Sequence, residues 1–193
     1  MILRFVPLLA LASLAACADL AGGPTTGGSP VPVVAIGAGS PGGLYERIGK
    51  ALCDAVAAGP AAAPCTVVAS DGSVENLQAL QQGRVGFALT QADTALAAQL
   101  GVGPFREKGP DRSLRSVLAL GIEPLAVVVK ADAPIAGFAD LKGRRIDPGP
   151  QGSGTELTMR GLMLSHGWTI GRDVRIASVP PGAAADALCS GRV

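Results

Sequence analysis

Residues able to do chemistry gather at two glycine-rich corners. The first is Ile36-Gly37-Ala38-Gly39-Ser40-Pro41-Gly42-Gly43-Leu44-Tyr45, where an apolar run from Val31 to Ile36 gives way to an amphipathic pattern. Glycine admits positive φ and lets a ligand approach the backbone. A helix start behind it supplies unpaired N–H groups and the positive end of a dipole, an arrangement that favours an anion. Gly39 and Gly43 open this backbone, Ser40 adds a hydroxyl and Tyr45 a phenol. The second corner, Gly149-Pro150-Gln151-Gly152-Ser153-Gly154-Thr155, has the same chemistry, with Gln151, Ser153, Gly154 and Thr155 as its candidates. Ser73, at the head of another helical pattern, and Gln91 and Asp93, after a further apolar run, join the set. All follow expected strands, at the edge where open α/β sheets bind ligands. Taken singly, each also fits a plain strand–helix turn or a helix cap.

Other chemistries find little support. The single histidine, His166, falls on the apolar side of a helical pattern, which suits core or surface better than a general base. No Cys/His cluster has zinc spacing. The first corner departs from G-x-G-x-x-G, and no acidic residue follows at the distance that holds a ribose, so no nucleotide cofactor is expected. No paired carboxylates stand ready for acid–base work, which argues against an enzyme. Net charge is +1, with no basic block, and this excludes a nucleic-acid surface.

The elements that must position these residues alternate strand and helix. Val31–Ile36, Cys65–Ala69, Val85–Leu89, Leu114–Leu120, Leu125–Lys130, Arg144–Asp147 and Val174–Val179 read as strands. Leu44–Ala58, the stretch from Ser73, Ala92–Leu100, Thr155–His166 and Ala183–Ser190 read as helices, and Phe138–Leu141 as a helical turn. In the first helix Leu44, Ile48, Leu52 and Val56 face inward, Glu46 and Lys50 pair outside, and Gly59-Pro60 stops it. Ser73 is expected as an N-cap. Gly191 to Val193 reads as the start of another strand. This rhythm predicts an α/β fold with mostly parallel sheets, and two corners about a hundred residues apart point to two lobes around one ligand. The lobes are residues 31–122 and 123–193, with the crossover at Gly121-Ile122-Glu123-Pro124. Hydrophobic residues make up 48% of the chain and aromatics only 3%, so the core must be aliphatic.

Residues 1–16 read as a signal peptide, with an apolar h-region from Phe5 to Leu14 that is too short to span a bilayer. Leu14-Ala15-Ala16-Cys17 fits a lipobox, with Cys17 lipidated and holding the domain to a membrane; ordinary cleavage after Ala18 is the alternative. Residues 17–30 read as a flexible tether. Export implies an oxidising compartment, in which Cys53 and Cys65 either bridge the first helix to the second strand or stay as buried thiols; Cys189 is left odd.

At these residues the chain resembles the TAXI-type solute receptors of tripartite ATP-independent periplasmic (TRAP) transporters. The resemblance rests on the first corner, on Gly72-Ser73-Val74-Glu75-Asn76-Leu77, and on Thr90-Gln91-Ala92-Asp93. It continues through Glu123-Pro124-Leu125, Asp140-Leu141-Lys142-Gly143, the second corner, and Ala187-Leu188-Cys189-Ser190-Gly191. Ala92 stands where the family often has serine. The resemblance implies a type II periplasmic-binding-protein fold, with its second lobe incomplete because family members are longer. It also implies a small carboxylate or glutamate-like amino acid between the lobes, and delivery to TRAP membrane subunits. A cysteine pair like 53 and 65 is familiar in that family too. Receptors of ABC importers and some enzymes share the scaffold, and a lipid-anchored surface antigen without ligand is a further alternative.

Overall fold

The protein is described from a computed structural model covering residues 33–193, apart from Ala61 and Pro181. The expected signal peptide, Cys17, the tether and the start of the first strand at Val31 lie outside the described residues.

Strand β1 is Val34–Gly37, whose apolar side chains suit a position between two neighbours. It pairs in parallel with β2, Cys65–Val68, on one side and β3, Phe87–Ala88, on the other, giving the order β2-β1-β3. Helix α1, Leu44–Ala58, lays Tyr45, Ile48 and Leu52 against Ile36, Ala38 and Leu89. It can come close because Gly49 is buried: a Cβ there would stand 3.2 Å from Val67 Cγ1 and 3.5 Å from Ala38 Cβ. Leu44, expected inward, opens the helix outside that cluster and is 52% exposed. Glu46 and Lys50 pair at 2.7 Å, and Gly59 caps the helix end. Cys53 and Cys65 are joined in a disulfide, with Cα atoms 5.2 Å apart, tying α1 to β2.

Helix α2 is Ser73–Gln81 and α3 is Ala92–Leu100. Val74, Leu77 and Ala98 form a second core with Phe105 of a 3-10 turn at Gly103–Phe105. Ser73 is not the N-cap: Gly72 takes that place, and the Ser73 hydroxyl accepts a hydrogen bond from the Gln91 N–H at 3.0 Å.

A second parallel sheet joins β4, Arg145–Ile146, to β5, Arg175–Ile176. Helix α4, Gly154–Ser165, covers it with Met159 and Met163, which pack with Leu141, Ile146 and Val174. A 3-10 turn at Phe138–Leu141 and α5, Ala184–Cys189, complete this part. The fold is therefore α/β with parallel strands in small sheets, as the alternation of patterns implies.

Two expected strands do not form. Leu114–Leu120 and Leu125–Lys130 have no regular structure, and Val117, Ile122 and Val128 are 74%, 95% and 72% exposed. Apolar content marks a segment as strand-competent, but a strand exists only where a neighbour completes its ladder, and none pairs here among the described residues. Gly191 to Val193 forms a turn and coil for the same reason. Among the described residues no helix is long and apolar enough to cross a membrane.

Candidate functional site

A cleft of about 470 Å³ opens beside the first corner. One wall is Ser40, Pro41, Gly42 and Gly43; the other is Asp147, Gly149, Pro150, Val179 and Pro180, from the loops after β4 and β5. A smaller cavity of about 250 Å³, lined by Asp71, Gln151 and Ser178, shares Gly149, Pro150, Val179 and Pro180 with it. Both lie past the carboxyl ends of parallel strands, where the backbone turns toward a helix and leaves room.

At each helix start that approaches this region, the N–H just before the cap is already used. The Glu46 carboxylate accepts from the Gly42 N–H at 2.6 Å, Glu75 from Asp71 N–H at 2.8 Å, and Glu156 from Gly152 N–H at 2.8 Å. In each case a glutamate in the helix's first turn folds back to the residue before the cap, like the return arm of a capping box. Lys50, and then the Gly42 N–H, hold the Glu46 carboxyl below its usual range. Thus the corners each carry an internal anion.

The eleven expected site residues separate into three groups. Ser40 and Gly43 line the cleft and Gln151 the adjoining cavity. Ser73, Gln91, Asp93, Ser153 and Gly154 instead form a seam that locks α2, α3 and α4 together. There Val74 N–H donates to Gly152 O at 3.2 Å, and the Thr158 hydroxyl to Asp93 at 2.7 Å. Ser153 caps α4, accepting from Glu156 N–H at 3.1 Å. Gly154 is pressed on Gln91 and Ser73, so that a Cβ there would stand 2.7 Å from Ser73 Oγ. Gly39, Tyr45 and Thr155 flank these groups. Gly39 O accepts from Ser70 N–H, and Thr155 packs on Gly149. The Tyr45 hydroxyl donates to Glu123 at 2.8 Å; burial, and then this bond, push its pKa above the usual tyrosine range.

Two residues that set this geometry were not singled out by sequence reasoning. Asn76, 1% exposed, donates through Nδ2 to the carbonyls of Ala38 and Leu89 and accepts from the Ser70 hydroxyl at 2.6 Å. It thereby fastens the ends of β1 and β3 to α2. Its signal was available: a polar residue on the inward face of a helix, beside Val74 and Leu77. Asp147 closes β4 and lines the cleft, a position its place at a strand's carboxyl end could have flagged. His166 is exposed beside Phe138 and Trp168, with Nδ1 3.0 Å from Leu162 O. No group of three or more His, Cys, Asp or Glu is placed to hold a metal among the described residues.

Residues 36–193 of the chain match the model of one protein family. The chain belongs to the NMT1-like family. This is a periplasmic-binding-protein-like family, and the small parallel sheets accord with its fold. Its general role is to bind a small solute outside the cytoplasm.

Proposed function

We propose that this NMT1-like protein is the solute receptor of a TRAP-type secondary transporter, of the TAXI kind. It binds a small carboxylate or amino acid in the cleft beside Ser40 and hands it to membrane subunits. The observation that carries the reading is the cleft itself: about 470 Å³, suited to a small molecule, at the ends of strands from both sheets. The ordered run of motifs from the first corner to Ala187–Gly191 supports the TAXI assignment. The protein does no chemistry on its ligand, and a lipidated Cys17 keeps it at the membrane on the outer side of the cytoplasm. Residues 31–122 and 123–193 act as the two lobes.

Thermal-shift and calorimetric screening of the full chain against dicarboxylates and amino acids tests the binding reading. At least one ligand should raise the melting temperature, and Ser40→Ala with Gln151→Ala should weaken it about tenfold, the scale of one or two lost hydrogen bonds. A screen with no hit ends the reading. Uptake by proteoliposomes holding the membrane subunits should collapse with the ion gradient and ignore ATP; dependence on ATP instead would place the protein with ABC importers.

A further inference from the structure

We propose that Asp147 makes the cleft selective for a ligand carrying a protonated nitrogen, so that a molecule bearing carboxylates alone is the poorer fit. The inference rests on the cleft being the binding site.

Two independent observations carry it. First, the charged side chains lining the cleft and its adjoining cavity are Asp147 and Asp71; no lysine, arginine or histidine lines either among the described residues. The Asp147 carboxylate is half-buried, and Oδ1 accepts one hydrogen bond, from Gly149 N–H at 3.1 Å. It makes no ion pair and no other hydrogen bond among the described residues, which leaves Oδ2 for a ligand donor. A partly desolvated carboxylate with a single backbone partner interacts strongly with a cation that reaches it.

Second, the helix starts behind the corners already carry carboxylates of their own. The N–H groups of Gly42, Asp71 and Gly152, each just before a cap, are bonded to Glu46, Glu75 and Glu156. Gly43 N–H is also taken, by Ser40 O at 2.9 Å. A dianionic ligand would therefore meet built-in carboxylates at the corners and face Asp147 with no cation among the described lining residues to offset it. A ligand with an ammonium group meets Asp147 directly and uses the Ser40 hydroxyl for its polar end.

Calorimetry on the full chain with matched pairs decides the matter: L-glutamate against glutarate, and γ-aminobutyrate against butyrate. The amine-bearing member should bind about tenfold tighter or more, the scale of one charge-assisted hydrogen bond. Asp147→Asn should cut the preference to about threefold or less while the melting temperature holds. Equal or tighter binding of the plain acids overturns the inference and leaves the cleft's role intact, as does an unchanged preference in Asp147→Asn. Binding of no member of either pair, nor of any ligand in the wider screen, overturns the cleft assignment itself. Should Asp147→Asn not fold, the wild-type pairs still decide.

Discussion

The sheets β2-β1-β3 and β4-β5 are built from the same βα unit, yet they are fastened by different chemistry. In the first, a neutral amide does the fastening: Asn76, 1% exposed, bonds the carbonyls of Ala38 and Leu89 and the Ser70 hydroxyl. In the second, a carboxylate does it. Asp173, 8% exposed, accepts from Thr169 N–H at 2.8 Å and from Arg172 at 2.7 Å, and lies 3.4 Å from Lys142, while its own carbonyl takes the Gly143 N–H. A disulfide further ties α1 to β2, whereas Cys189 in the second part is an exposed free thiol. The first sheet should therefore be indifferent to acid and sensitive to reductant, and the second the reverse.

The largest effect that could break this contrast is at Asn76. Replacing it by alanine leaves two buried carbonyls without a donor and opens a small void, a loss of about 3 kcal/mol in urea unfolding at neutral pH. A loss below about 1 kcal/mol would mean that water or a shift of α2 satisfies those carbonyls, and that the amide is no fastener.

Next in size is the disulfide. Cys53 and Cys65 are 12 residues apart in sequence, so the bridge closes a short loop, and replacing both by alanine should cost about 2 kcal/mol. Melting the wild-type protein with and without reductant is the direct check. An unchanged transition would show that packing of Ile48 and Leu52 alone holds α1.

Acid should act on the other sheet. Arg172, and then the Thr169 N–H, lower the Asp173 pKa to about 2, against about 4 in an unfolded chain. The folded state thus binds fewer protons than the unfolded one in this interval. Stabilisation from Asp173 is complete above pH about 4 and is lost as pH falls through about 2. Asp173→Asn should flatten the stability curve across that window, while Asn76→Ala should leave its slope unchanged. A slope that persists in Asp173→Asn would assign the acid sensitivity elsewhere.

The contrast also explains what could be read from the chain. Helices α1 and α3 begin and end where the spacing of Ile48, Leu52 and Val56 and the position of Gly101 place them, because a helix closes its own hydrogen bonds. The strands that form are legible in position and mostly shorter than their apolar patterns, because strand length depends on the neighbour: β3 reaches only as far as β1 pairs it, at Phe87 and Ala88. At the site, the glycine corners were legible and their occupants were not. Glu46, Glu75 and Glu156 each stand four residues after the N–H they bond, a repeated spacing that reads as exposed helix charge until the backbone folds it inward. Ser73 and Ser153 read as ligand donors because a hydroxyl at a helix start serves a cap and a ligand equally well; Ser153 caps α4, while Ser73 leaves the cap of α2 to Gly72 and accepts from the Gln91 N–H.

The smallest expected effect lies in the run from Leu114 to Val129. Its backbone N–H and C=O groups make no backbone hydrogen bonds among the described residues, and Val117, Leu118, Ile122 and Val128 are more than half exposed. Its amides should therefore exchange with solvent far faster than those of Leu77 and Ala79, which sit inside α2 and are buried. Val128→Thr exchanges one β-branched side chain for another where no core depends on it, so stability should move by less than about 0.5 kcal/mol. Val129 is the internal control, since it packs against the core of Leu141, Ile146 and Met163 one residue further on. Val129→Thr puts a hydroxyl against that core and should cost about 1 kcal/mol, more than its neighbour. If Val128→Thr costs as much as Val129→Thr, or if the amides of this run are protected like those of α2, the run has found a strand partner in solution. The second sheet would then be as well fastened as the first, by backbone rather than by Asp173.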